Sequence, residues 1–228
     1  MFSLPNFFTL LNLFFGITGI ILAMENNTEL VFYTVGFCLL ADFLDGFTAR
    51  LLHQSSPIGK ELDSLADMVS FGVLPAILYF QLLRTQGMDF GFAVYLVFLI
   101  ALASALRLAK FNLDERQTNY FVGLNTPANT ILTLGVSSSL AKYDIFSPEF
   151  VLYLIISLTL VQSVLLISEM RFISLKFSQA SWNENKSRWI LLMGSALLIV
   201  FLSLPLALIA IILLYHLVSC VDTLLLSK

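Results

Sequence analysis

Residues 30–67 read LVFYTVGFCLLADFLDGFTARLLHQSSPIGKELDSLAD. The stretch opens as a near-continuous apolar run over 30–52, about the 20 residues a helix needs to cross a bilayer. Two aspartates, Asp42 and Asp45, interrupt it near one end. A short polar loop follows, and the next apolar run starts with Asp63 and Asp67. Carboxylates at membrane depth are costly and are kept there with a partner or a task. The stretch therefore predicts two antiparallel membrane helices whose facing ends carry four acids.

Composition agrees along the whole chain. Of 228 residues, 58% are hydrophobic and 12% charged, where a soluble domain carries about 25% charged residues. Mean hydropathy is +0.90. Spanning candidates lie near 7–24, 30–52, 64–84, 91–110, 126–142, 149–168, 188–203 and 206–226. The predicted fold is all-α, a polytopic membrane helix bundle of about eight transmembrane helices. Ser203-Leu204-Pro205 breaks an apolar run too long for one crossing, so a tight hairpin is expected there. The chain divides into a six-helix part over 1–175 and a C-terminal hairpin over 186–228. No basic run is present, which argues against nucleic acid as a partner. Cys38 and Cys220 fall inside apolar runs and read as small buried side chains.

Basic residues set the orientation. With the N-terminus inside, the inner segments carry Arg50, Lys60, Arg107, Lys110, Arg116, Arg171, Lys176, Lys186, Arg188 and Lys228, and the outer ones only Arg84 and Lys142. This positive-inside bias places both termini, and the loops at 50–63, 107–125 and 169–187, in the cytoplasm.

Asp42 and Asp45 are spaced i,i+3, and Asp63 and Asp67 i,i+4, so each pair shares a helix face. Four converging carboxylates do not all stay ionised unless something positive sits among them. Oxygen-only ligands suit hard cations, Mg²⁺ or Mn²⁺. Gly46 and Ala49 share the face of Asp42 and Asp45 and leave room against the backbone. Arg50 adds a fixed charge at the helix end for a phosphate or carboxylate. Ser56 and Gly59 lie in the connecting loop. A cation transporter is the competing class, but it would spread acids through the membrane depth. A structural scaffold leaves the aspartates without a purpose.

Written out, the spacing is Asp42-x2-Asp45-Gly46-x2-Ala49-Arg50-x8-Gly59-x3-Asp63-x3-Asp67. Eight fixed positions match by chance about once in 10¹⁰ starting points at average residue usage. The pattern resembles the signature of the CDP-alcohol phosphatidyltransferases. Further stretches resemble the phosphatidylserine synthase branch of that family: Pro5 to Asn12, Ser64 to Gly72, Arg107 to Asn112, Gly123 to Ala128 and Arg171 to Lys176. Asn125 departs from it, standing where a proline is more usual.

The resemblance implies an enzyme that moves a phosphatidyl group from CDP-diacylglycerol to the hydroxyl of L-serine. It implies two divalent cations, one held by Asp42, Asp45 and Asp63 and the other by Asp42, Asp63 and Asp67, with Asp67 as general base. It further implies CDP-lipid contacts at Asn6, Thr9, Gly46, Arg50 and Ser56, and a homodimer. Glycerol 3-phosphate, an inositol phosphate and choline are the alternative acceptors. For the acceptor, Arg107, Lys110 and Asn112 at the inner end of the fourth helix and Asn125 and Thr126 at the start of the fifth are the candidates. Arg107 and Lys110 also suit a second reading as snorkelling interface anchors.

Overall fold

The computed structural model describes residues 3–114, 120–143, 145–174 and 185–226. Arg116, Lys176 and Lys228, counted above on the inner side, lie outside the described residues, as does Leu175. Eight helical rods are present among the described residues. They are α1 (Leu4–Met24), α2 (Thr28–Leu51), α3 (Pro57–Arg84), α4 (Gly91–Leu113), α5 (Thr126–Lys142), α6 (Pro148–Ile167), α7 (Lys186–Phe201) and α8 (Leu204–Leu226). One small antiparallel ribbon, which the all-α expectation did not include, pairs β1 (Tyr120–Val122) with β2 (Arg171–Ile173).

Six of the rods, α1, α2, α3, α4, α6 and α8, are long and apolar enough to cross a membrane by length and composition. The other two have 17 and 16 residues. They rise only about 25 Å at ~1.5 Å per residue, short of a hydrocarbon core of about 30 Å. The polytopic helical class therefore holds, while the expected number of eight rests on two short rods.

Local chemistry sets the ends of these helices. Ser3, Ser56, Asn125 and Ser147 each cap a helix N-terminus, accepting from the backbone N–H three residues on, and a proline follows within the first two helical positions. Such a cap satisfies a donor that the helix itself leaves open, and proline there loses nothing. The Ser56-Pro57 cap starts α3 seven residues earlier than its apolar run suggests. Asp63 and Asp67 therefore sit on its second and third turns.

α3 is not regular throughout. Met68–Val73 is π-helical, and the Leu74 N–H reaches back to Val69 O. Pro75, which brings no N–H, follows at once. In an α-helix its missing donor would have served Phe71 O; the Thr130 hydroxyl of α5 donates to that carbonyl at 3.2 Å. The widened turn also presents Ser70 to α1, where its hydroxyl donates to Asn12 O at 3.0 Å. A Cβ at Gly16 would lie 2.2 Å from that hydroxyl oxygen, so α1 and α3 cross at the only residue type that fits.

α1 shows how the bundle is turned relative to its surroundings. Phe7, Leu10, Phe14, Ile17 and Ile21 are exposed, while Asn6, Thr9, Asn12, Gly16 and Gly19 are buried. Apolar residues outside and polar or small ones inside is the arrangement a lipid solvent favours. The main apolar core gathers Tyr79 and Leu83 of α3, Ile100 of α4, Ile155 and Leu166 of α6 and Phe172 of β2. A smaller cluster joins Val31 and Val35 to Leu74 and Leu78.

The C-terminal hairpin is docked on the rest of the chain. A Cβ at Gly135 of α5 would come within 2.8 Å of Pro205 O, and the Tyr215 hydroxyl donates to Ile173 O at 3.1 Å. Cys38 is buried, as expected; Cys220 is exposed, because its position on α8 faces outward.

Candidate active site

α1, α2 and α3 meet at the end of the bundle where α2 stops and α3 starts. Ligand oxygens of Asp42, Asp63 and Asp67 all lie within 4.8 Å of one another. Octahedral oxygens at ~2.1 Å from an ion lie about 3.0 Å apart when adjacent and about 4.2 Å when opposite, so the trio is close enough to share a cation after drawing together. Asp45 is not in this trio. Its Oδ2 accepts from the Thr9 hydroxyl at 2.9 Å. On the other side, the Asn12 side-chain amide donates to Asp67 Oδ1 at 3.0 Å. One face of α1 thus fixes a carboxylate from each of the two other helices.

Among the described residues, no Lys or Arg nitrogen comes within 4.0 Å of any of the four carboxylates. Asp63 Oδ1 is buried and finds no hydrogen-bond partner among them either. A buried acceptor left without a hydrogen bond costs about 1–3 kcal/mol, and more when it is charged. The donor set, all carboxylate oxygen and short of positive charge, fits a hard divalent cation.

The residues expected to contact the CDP-lipid surround this cluster. A Cβ at Gly59 would lie 3.1 Å from both Asn6 Oδ1 and Ser56 Oγ, so these three residues converge where α3 begins. Ser56 Oγ accepts from Gly59 N at 3.1 Å, as the helix cap. Arg50 folds back over Gly46: a Cβ there would meet its guanidinium at 3.4 Å. Ala49 is half-buried on the same helix, and its carbonyl accepts from Gln54 N at 3.0 Å.

The acceptor candidates divide into two groups. Arg107 and Thr126 come together: Arg107 Nη1 donates to Thr126 Oγ1 at 3.4 Å. Arg107 is 7% exposed, stacks on Phe111 at 5.6 Å, and lies within electrostatic reach of Asp67 and Asp42. A snorkelling anchor keeps its head in water, which this one does not. The other three serve the scaffold. Lys110 pairs with Glu169. Asn112 donates to Ser64 Oγ at 2.8 Å and offers its carbonyl to Lys60 Nζ at 2.6 Å, tying α4 to α3. Asn125 Oδ1 accepts from Ala128 N at 2.7 Å, so the unusual residue at this position is a helix cap.

Asn12 was missed as a functional candidate. The signal was available, because Asn6, Thr9 and Asn12 repeat at three-residue intervals and share one face of an otherwise apolar helix.

A family model described as CDP-alcohol phosphatidyltransferase matches residues 2–167. The chain is similar to proteins named CDP-diacylglycerol–serine O-phosphatidyltransferase in several organisms. With that of Helicobacter pylori (strain ATCC 700392 / 26695) it is 31% identical over 185 residues, covering 80% of this chain and 76% of the relative. With that of Methanocaldococcus jannaschii it is 32% identical over 162 residues, covering 71% and 72%. With that of Saccharomyces cerevisiae it is 40% identical over 124 residues, covering 50% and 43%. A match over most of its length, in a chain whose aspartates converge in space, means that this chain belongs to the CDP-alcohol phosphatidyltransferase family.

Proposed function

We propose that this protein transfers the phosphatidyl group of CDP-diacylglycerol to the hydroxyl of L-serine, giving phosphatidylserine and CMP. The observation that carries this reading is the convergence of Asp42, Asp63 and Asp67 beside Asp45, with Asp67 held by Asn12. The serine in the reading comes from the names of the relatives above.

Asp42, Asp45 and Asp63 would hold one divalent cation, Mg²⁺ or Mn²⁺, and Asp42, Asp63 and Asp67 would hold a second. When bound, these ions offset the diphosphate charge and polarise the phosphorus under attack. Asn6, Ser56 and Gly59 line the nucleotide end of the site with Thr9, while Gly46 and Ala49 leave the backbone of α2 open to it and Arg50 meets a phosphate. Asp67 takes the proton of the serine hydroxyl. Asn12, hydrogen-bonded to Oδ1, leaves the other oxygen for that task. The serine oxygen bonds to phosphorus, the bond from phosphorus to the CMP oxygen breaks, and the electron pair leaves with CMP. Arg107 receives the serine carboxylate, with Thr126 orienting the guanidinium. A phosphorylated acceptor would require more positive charge than this. Lys110, the nearest basic residue in sequence, is engaged by Glu169.

The site opens to the cytoplasm in a bundle of eight crossings with both termini inside, and the lipid tails stay in the bilayer. The β1–β2 ribbon supports this arrangement, because it pairs Tyr120–Val122 of one expected inner loop with Arg171–Ile173 of another. Residues 1–175 form the catalytic part, 186–228 an added hairpin, and the working unit is a homodimer. Purified protein with CDP-diacylglycerol and Mg²⁺ or Mn²⁺ is expected to release CMP only when L-serine is supplied. Turnover with glycerol 3-phosphate and none with serine would overturn the acceptor.

A further inference from the structure

The end of the bundle opposite the aspartates carries a groove of about 740 Å³ between α2, α5 and α8. On α2 it extends from Thr28 and Glu29 to Leu39, and on α5 from Lys142 to Ile131. Each wall rises about 16 Å at ~1.5 Å per residue, close to half of a hydrocarbon core of about 30 Å. The groove is therefore one leaflet deep.

Its polarity runs in one direction. Glu29 and Lys142 stand at the end where α2 begins and α5 finishes, while Leu39 and Ile131 close the other end. Ser138 lines the wall between them. Its hydroxyl is buried and has no hydrogen-bond partner among the described residues. Gly36 leaves the groove open at mid-depth: a Cβ there would meet no atom within 4 Å among the described residues. A second cavity of about 310 Å³ shares Thr28 with the groove and is lined by Gln81, Gln86 and Ser137. The Ser137 hydroxyl is likewise buried without a partner among the described residues. Both hydroxyls lie behind the cavity walls, with no surface open to an occupant.

We propose that the groove binds a zwitterionic glycerophospholipid of the leaflet opposite the active site, with an acyl chain along α2 and α5, the phosphate at Lys142 and the ammonium at Glu29. A cation and an anion at one end of an apolar slot match a headgroup carrying both signs. A second copy of the chain would have to bring its own charge pair to the same depth.

The test uses the full chain in nanodiscs with a trace of phosphatidylethanolamine bearing a diazirine near the end of one acyl chain. After photolysis, adducts are mapped by peptide mass spectrometry. Adducts are expected to concentrate on the segments around Leu39, Ile131 and Leu134. Gly36→Trp, which puts a bulky ring on the wall at the position where a Cβ meets no atom within 4 Å among the described residues, lowers them about ten-fold, as does Lys142→Glu. Labelling of the outer face of α1 at Phe14 and Ile17, and CMP release, stay unchanged. A phosphatidylglycerol probe with the same diazirine labels the groove several-fold less. Even labelling around the bundle that ignores Gly36→Trp would overturn the site, and equal labelling by the two headgroups would overturn the charge pairing. Disulfide formation between copies carrying Tyr33→Cys, with no lipid adducts in the groove, would assign it to a second copy instead.

Discussion

The side-chain amide of Asn12 donates to Oδ1 of Asp67 at 3.0 Å across the α1–α3 contact. Asp67 is 9% exposed, so this bond sets which carboxylate oxygen faces the site. Asn12→Ala is expected to lower kcat by about 10- to 100-fold, in line with ~1.5–3 kcal/mol for a hydrogen bond to a charged group. KM for CDP-diacylglycerol should change little, because Asn12 acts through Asp67. CMP release over a range of lipid concentrations separates the two constants. An unchanged kcat would leave Asn12 a packing residue.

Gly16 and Gly36 form a matched pair for testing packing. A Cβ at Gly16 would meet Ser70 Oγ at 2.2 Å and Ser70 Cα at 3.0 Å, whereas at Gly36 nothing lies within 4 Å among the described residues. Gly16→Ala should destabilise by about 1–3 kcal/mol through overpacking. Gly36→Ala should be neutral or stabilising by up to about 1 kcal/mol, the helix propensity difference. Thermal midpoints of the two variants in the same detergent decide the matter. Equal midpoints would mean that α1 and α3 do not cross at Gly16.

Much of this architecture could be read from residue order alone, and the misses share a cause. Asp42, Asp45, Asp63 and Asp67 stand out because charge in an apolar run is rare, and their i,i+3 and i,i+4 spacing gives the shared face directly. The early start of α3 was hidden because Lys60, Glu61 and Asp63 make its first two turns polar, although Ser56-Pro57 is a cap signature. The π-helical turn at Met68–Val73 was hidden because it depends on Thr130 meeting Phe71 O, a contact 59 residues apart in sequence. Lys110 and Arg107 both suit an interface anchor or an acceptor contact in sequence, Lys110 more readily the anchor. Glu169, brought beside Lys110 by the folding of α6, separates them.

Orientation is open to direct labelling. Gln54 lies in the exposed turn between α2 and α3 and Met88 in the exposed turn between α3 and α4. Gly87, the neighbouring position, has φ +73° and would strain under any side chain. In a Cys220→Ser background, Met88→Cys should react with an impermeant maleimide on intact cells and Gln54→Cys only after permeabilisation. The reverse pattern would invert the bundle and place the aspartates on the outer face.

Arg107 tests the acceptor. It is buried against Phe111 and Thr126, and the proposed mechanism gives it the serine carboxylate. Arg107→Gln should raise KM for serine by about 10- to 100-fold, the cost of ~1.5–3 kcal/mol for a charged hydrogen bond. KM for CDP-diacylglycerol should stay near its original value. Lys110→Gln removes only an exposed ion pair, worth about 0–1 kcal/mol, and should leave both constants close to unchanged. Equal effects of the two substitutions on serine KM would remove Arg107 from the acceptor pocket.

Asp63 and Asp67 separate binding from proton transfer. Asp63 Oδ1 has no partner among the described residues, and the proposed arrangement gives this carboxylate to both cations. Asp63→Ala should therefore abolish metal-dependent binding of CDP-diacylglycerol. Asp67→Asn is gentler: it keeps an oxygen that still ligates a cation, and only the basic carboxylate is lost. Its turnover should fall by about 10²-fold or more, the usual contribution of a general base, while lipid binding persists at saturating metal. Asn12 complicates this variant, because its amide must now face another amide. Asn12→Asp combined with Asp67→Asn restores a complementary donor and acceptor at that contact. If Asp67 serves only as a ligand held by Asn12, the double variant regains much of the lost turnover. If Asp67 is the base, turnover stays about 10²-fold down even though metal and lipid binding are intact. Calorimetric titration of metal and CDP-diacylglycerol alongside CMP release at saturation distinguishes the two. Near-normal turnover of Asp67→Asn at saturating metal would transfer the serine proton to some other group.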